Sequence, residues 1–426
     1  MNSVLNDWET RRLKFVATCN DEALSEATDP EFEMEYVDIS SVNLVEGVAA
    51  TETVTFGKAP SRARRVVQDG DTIVSTVRTY LKAIASIQSP PANMVVSTGF
   101  AVIRPRDEID GSFLGYALQN TVFIESIVAN STGVSYPAIN PSLLASLPLA
   151  FPKSLATQKQ IAAFLDWKTS QIDALIAKKQ TLLQKLKEKR LAVITQAVTK
   201  GLNPDAPMRD SGIAWLGEVP AHWEVKPVKF LTKIVRGQFS HRPRNDPAFY
   251  DGDYPFVQTG DIARAGKFVT SYSQTLNERG LSVSRQFPAG TLVMTIAANI
   301  GDMAIIDFAA CFPDSIVGFI PEERIDLNFL YFMFIAMKQR LMMTAVLNTQ
   351  LNLNIDRIAS IETVAPPYDE QIRIVQLLDD EVKRSDLLMG KAEAAITHLT
   401  EYRSALITAA TTGKIDVRNV AIPAHA

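Results

Sequence analysis

The sequence predicts an α+β protein made twice over. Two mixed α/β blocks, rich in short strands, alternate with two long helices that pair. Three observations lead there. Residues 158–200 lie over residues 371–413 without a gap, and 15 of these 43 positions are identical at an offset of 213, half of the 426-residue chain. Both stretches carry an apolar stripe at helical spacing, uninterrupted by proline. The segments ahead of them match only at anchors, so blocks that vary alternate with blocks that repeat.

The variable blocks come first in each half. Runs rich in Val, Ile and Thr at 72–77, 94–97, 291–296 and 304–306, punctuated by Gly, Pro and Asn, read as short strands. Gly70-Asp71-Thr72-Ile73-Val74 pairs with Gly290-Thr291-Leu292-Val293-Met294 only through gaps. Trp8-Glu9-Thr10-Arg11-Arg12-Leu13-Lys14-Phe15 lies over Trp223-Glu224-Val225-Lys226-Pro227-Val228-Lys229-Phe230 at offset 215.

The repeated blocks are the helices. The first puts Ile161, Leu165, Ile172, Leu175, Leu183, Leu186 and Ile194 on one stripe. The second puts Ile374, Leu378, Leu388, Ile396, Leu399 and Ile407 there. Thr157 with Gln160 reads as a capping box, and Gly201 with Pro204 as the stop. Each helix would be roughly 60 Å long, beyond an ordinary globular helix, so the two are expected to pair as a coil.

Composition excludes several classes. Two cysteines, Cys19 and Cys311, cannot build a disulfide framework or a four-thiolate zinc site, which suits a reducing, cytoplasmic setting. No signal peptide is expected at the start. The most apolar run, 329–337, is too short to span a bilayer and reads as a buried helix. His222, His241, His398 and His425 have no metal-ligand spacing. P-loop, G-x-S-x-G and G-x-G-x-x-G motifs are absent. Ala365-Pro366-Pro367-Tyr368 imitates the base-holding motif of amino-methyltransferases, but Ala365 stands where an Asn or Asp must bind the amino group. It reads as a proline stop. Pro313-Asp314 lacks the E-x-K of a metal nuclease, and Glu322-Glu323 reads as solvated.

The net charge of −4 hides a segregated distribution. Residues 21–52 hold ten carboxylates and no cation, while 226–285 carry ten basic and five acidic side chains. Cations grouped this way suit phosphates, and Arg, Asn and Gln suit base edges. The candidates are Arg62, Arg64, Arg65, Arg78, Tyr80 and Lys82 in the first block. In the second they are Arg236, Arg242, Arg244, Arg264, Lys267 and Asn299. Tyr250, Asn245 and Gln258 offer contacts nearby.

The whole plan resembles the specificity subunit of type I restriction–modification systems. Ser211-Gly212-Ile213-Ala214-Trp215-Leu216-Gly217-Glu218-Val219-Pro220 resembles the family's entry into a target-recognition domain. Gln158-Lys159-Gln160-Ile161-Ala162-Ala163-Phe164-Leu165-Asp166 resembles the start of its conserved helix. The first half departs from the pattern, starting at Asp7-Trp8-Glu9 without the Ser-Gly-Ile lead. The resemblance implies target-recognition domains at 1–152 and 203–365, spacer helices at 153–202 and 366–418 paired as an antiparallel coiled coil with a pseudo-twofold repeat, and a tail at 419–426. It implies a non-catalytic subunit whose domains each read one half of a bipartite double-stranded DNA target. The helices would set the gap and dock two methyltransferase subunits, which endonuclease/translocase subunits join. S-adenosylmethionine, ATP and Mg would sit on those partners. The alternatives are a duplicated helical adaptor that binds proteins and not DNA, and a self-contained modification or restriction enzyme.

Overall fold

The computed structural model describes residues 7–297, 300–343, 346–347 and 351–423. The chain forms two compact units that do not follow chain order. One comprises residues 1–182 and 391–426, the other 183–390. Each therefore holds one strand-rich block and one half of each long helix, Leu155–Lys200 and Tyr368–Thr411.

The two blocks share one topology despite their divergence. In the first, one four-stranded sheet runs Ala17–Cys19, Phe100–Pro105, Thr72–Ser75, Ile84–Ser86. In the second, its counterpart runs Thr232–Arg236, Ile316–Pro321, Thr291–Thr295, Met303–Ile306. The gapped match of Gly70–Val74 to Gly290–Met294 is a structural one. Ser75 pairs with Phe100 and Thr295 with Ile316, at the same place in each sheet. A second four-stranded sheet accompanies each, and each contains one parallel pair, Met94–Ser97 beside Glu33–Val37 and Tyr250–Phe256 beside Ala310–Cys311. A two-stranded ribbon closes each block: Trp8–Arg12 with Pro148–Pro152, and Glu224–Pro227 with Glu362–Ala365. The apolar run at 329–337 lies in the helix Leu327–Met343, with Phe329, Leu330, Phe332, Met333, Phe334 and Met337 buried.

Within each unit the two long helices pack antiparallel. Along the first helix, an unexposed stripe runs Leu165, Thr169, Ile172, Ile176, Lys179 in one unit and Leu183, Leu186, Arg190, Val193, Ala197 in the other. Along the second it runs Leu378, Val382, Ser385, Met389 and then Ala392, Ile396, Leu399, Arg403, Leu406, Ala410. The steps alternate four and three, the 3.5-residue period of a coiled coil. This corrects two expected pairing residues. Leu175 and Leu388 are 46% and 45% exposed, because the seam steps four residues from Ile172 to Ile176 and from Ser385 to Met389. A 3.6-residue stripe had put them inward. Ile161 and Ile407 are buried in the core of the first unit, and Ile194 and Ile374 in that of the second.

The helix ends are built alike. The first helix begins two residues before the expected box, and Ser154 Oγ accepts from Thr157 N–H at 3.4 Å. Gly201 and Gly413 end the helices at φ +74° and +69°, left-handed positions that favour glycine. Gln158 is fully buried. Its amide donates to Pro152 and Glu108 carbonyls at 2.7 and 3.2 Å and accepts from Asp110 N–H at 2.7 Å. Its counterpart Gln371 repeats every bond, to Pro366, Arg324 and Asp326. Asp110 and Asp326 in turn cap the helices at Gly111–Gln119 and Leu327–Met343. Each glutamine thus ties a block to its long helix. The Pro366-Pro367 pair precedes the second helix, as a proline stop should.

The C-terminal segment supplies what the first half lacks. Val417 is buried, and Ile415, Val420 and Ile422 pack on the first unit's core. In the second unit, Ile213, Trp215 and Leu216 of the segment after the first helix pack on the corresponding core.

Candidate nucleic-acid interface

In the first block, the turn between Met94–Ser97 and Phe100–Pro105 gathers the candidates. Thr98 N–H donates to the Arg62 carbonyl at 2.7 Å, and Thr76 N–H to the Gly99 carbonyl at 2.8 Å. Arg62 and the segment after Thr76 therefore share one end of the sheets. Arg62 pairs with Asp38 at 2.8 Å and donates to Tyr36 Oη at 3.3 Å. Tyr36 and Asp38 beside it push its already high pKa up further. Arg78 and Lys82 adopt φ +50° and +53° and bracket a single turn, Thr79–Leu81, that leaves Tyr80 and Leu81 each 51% exposed.

A loop missed in the sequence completes this patch. Thr79 N–H donates to the Pro137 carbonyl, and Val77 bridges Ala138. The loop carries Val134, fully exposed, and Tyr136, 65% exposed, with the Arg78 guanidinium 4.9 Å from the Tyr136 ring centre. Cations and exposed aromatic faces on one rim suit a phosphate backbone and base stacking. Arg64 lies against the Phe56 ring at 4.4 Å, and the buried Nε of Arg65 has no hydrogen-bond partner among the described residues. Both sit on the strand Ala63–Val66 rather than on the turn.

The second block builds its rim differently. Asp314, just before the strand Ile316–Pro321, gathers three of the predicted arginines. Its carbonyl accepts from Arg236 Nε at 2.7 Å, and its carboxylate from Arg244 at 2.6 and 2.8 Å. Arg242 lies 3.8 Å away. Arg242 and Arg244 remain about half exposed, so their guanidinium edges are oriented but accessible. Beside them a cavity of about 430 Å³ is walled by Phe239, Tyr250 and Phe256 and rimmed by Asn245, Gln258 and Gln274. Tyr250 donates to the Arg244 carbonyl, and burial pushes its phenol pKa up.

The remaining candidates separate. Arg264 is 69% exposed and pairs with the buried Asp261 at 2.6 Å. Lys267 is corrected from a DNA candidate to a structural tie. Its ammonium bonds Asp379 of the second long helix at 2.6 Å, lies 4.9 Å from the Phe332 ring, and is only 20% exposed. Asn299 lies outside the described residues. Among the described residues no group of His, Cys, Asp or Glu is placed to hold a metal ion, and no helix is long and apolar enough to cross a membrane.

Comparison with known proteins agrees with this duplication. The family model described as the type I restriction modification DNA specificity domain matches twice, at residues 6–188 and 220–398. The type I restriction enzyme HindI specificity subunit of Haemophilus influenzae is 22% identical over 422 residues, covering 84% of this chain and 89% of that one. The MjaVIII specificity subunit of Methanocaldococcus jannaschii is 22% identical over 346 residues, covering 76% of this chain and 75% of that one. In a solved structure concerned with complex assembly and conformational transition of the type I R-M system, one chain aligns over 96% of this chain and 99% of its own. Its TM-score is 0.74 at 20% identity, a likeness of fold. With its domain present in both halves, each joined to the paired helices by a buried glutamine, the chain belongs to the type I restriction–modification DNA specificity family.

Proposed function

We infer that this chain is the DNA sequence-recognition subunit of a type I restriction–modification complex and is not itself catalytic. One observation carries the reading: a single fold occurs twice and carries, at the same end of its inner strands, two cationic rims of different construction. Two readers of one ancestry but different surface chemistry suit a bipartite, asymmetric target in double-stranded DNA. Arg62, Arg78, Tyr80 and Lys82, with Tyr136, would face the first half-site. Arg236, Arg242 and Arg244, oriented by Asp314, would face the second. The paired helices are a heptad-built spacer that sets the gap and docks two methyltransferase subunits. Endonuclease/translocase subunits join that assembly, and S-adenosylmethionine, ATP and Mg belong to the partners.

The test is sequencing of DNA methylation after co-expression with the cognate methyltransferase subunit. A motif of two short blocks around a fixed gap, lost when this chain is omitted, is the expected result. Methylation that does not depend on this chain, or none from an assembled complex, overturns the reading in favour of a protein-binding adaptor.

A further inference from the structure

The repeat reaches the surface beside the closing ribbon of each block. In the single turn after each ribbon strand, Leu13 and Val228 are buried, so their similarity serves the core. The exposed residues around them repeat as well. Glu9 pairs with Arg11, and Glu224 with Lys226. Lys14 and Lys229 lie over the rings of Phe15 and Phe230 at 5.3 and 5.2 Å. Those two phenylalanines are 57% and 61% exposed, each at the end of the single turn that follows the ribbon strand. Each phenyl ring is more than half exposed, and the same residue recurs at equivalent places in blocks whose other surface residues largely differ, so burial alone does not account for the match.

The position separates this patch from the candidate DNA rims. In the first block the strand Phe100–Pro105 runs between them. Arg106 N–H donates to the Val16 carbonyl at the Pro105 end, and the Arg62 turn sits at the Phe100 end. That strand is about 17 Å long. In the second block Ile316–Pro321 does the same. Glu322 N–H donates to the Leu231 carbonyl at one end, and Asp314 with its arginines sits at the other.

We propose that Phe15 and Phe230 are twin anchors for two copies of one protein partner, the methyltransferase subunit, each ring entering an apolar pocket rimmed by carboxylates that meet Lys14 or Lys229. The assignment of the partner rests on the function proposed above. Identical anchors on diverged blocks suit an identical partner taken twice. They do not suit two different DNA sequences. Aromatic side chains, phenylalanine among them, are enriched in protein interfaces, where a few buried anchors carry most of the binding energy.

The experiment uses the full chain co-expressed with its methyltransferase subunit, with stoichiometry read by native mass spectrometry. Wild type is expected to carry two copies. Phe15→Ala and Phe230→Ala should each leave one, with affinity at the altered site lowered on the order of 10–100-fold. The double variant should carry none, while the melting of the lone chain stays unchanged. Lys14→Glu with Lys229→Glu keeps the rings and should weaken both copies. Two copies bound at wild-type affinity by the double alanine variant overturn the anchors and leave the recognition role standing. So does a double variant that assembles fully but loses salt-dependent DNA binding. A wild-type chain that binds no methyltransferase subunit removes the functional reading and the anchors with it.

Discussion

Arg403 Nε lies 2.9 Å from Asp173 Oδ1 where the two long helices meet in the first unit. The pair 213 residues away in each case, Arg190 and Asp386, meets at 2.6 Å in the second. Asp173 matches Asp386 and Arg190 matches Arg403 in the repeat. Each arginine answers the aspartate of the other helix, as antiparallel packing of two copies requires. The two pairs differ in surroundings. Arg403 is 11% exposed and also donates to the Leu44 carbonyl, whereas Arg190 and Asp386 are 27% and 52% exposed. Arg403→Ala should therefore cost about 2–3 kcal/mol of stability and Arg190→Ala no more than about 1. Chemical denaturation of both variants checks the order, and equal losses would contradict it.

Gln158→Leu and Gln371→Leu should each be severe, because each strands one buried N–H and two carbonyls. A loss of about 2–4 kcal/mol is expected for each, read by denaturation, with substantial loss of the domain-to-helix tie. A loss below about 1 kcal/mol would mean that water replaces the side chain.

Asp314→Ala releases Arg244 from its carboxylate and loosens the group around it. Discrimination should relax in the second half of the methylated motif by about 1–3 kcal/mol at one position, with the first half unchanged. Uniform weakening over all sequences would instead assign these arginines to phosphates. Motif sequencing separates the two outcomes.

A heptad added to both helices, between Lys179 and Leu186 and between Ala392 and Leu399, keeps the 3.5-residue seam. It lengthens each helix by about 10.5 Å, so the gap in the target should grow by about three base pairs. Four-residue insertions break the seam and should destabilise the chain. An unchanged gap in the heptad variant argues against a spacer role.

Glu370 in the first turn of the second long helix accepts from Trp223 Nε1 at 2.9 Å and contacts His222 Nε2 at 2.7 Å. Burial opposes its ionisation, but these partners outweigh that and hold its pKa below the usual 4.5. Its contribution to stability is present above about pH 4.5 and is lost as pH falls through the lowered value. Wild type should melt higher than Glu370→Gln at neutral pH, and the gap should narrow in acid. A constant gap would show that the charge does not matter.

The sequence by itself determined the duplication, the two long helices, the strand-rich blocks and the cation-rich stretches. These follow from periodicity and composition, which are local. Gly70 and Gly290 could be paired through gaps because glycine turns survive where side chains diverge. The choice of Ile176 over Leu175 was not legible, since 3.5- and 3.6-residue stripes separate only when a partner helix selects the seam. Nor was the fate of Lys267, a cation like the others until Asp379 is brought beside it. Asp314 read as a failed nuclease motif because its arginines lie about 70 residues away. Tyr136 gave no signal beyond being a tyrosine near prolines. The tertiary structure alone decided these, along with the packing of the C-terminal segment on the first unit. Each depends on contacts between residues far apart in the chain, which local pattern cannot specify.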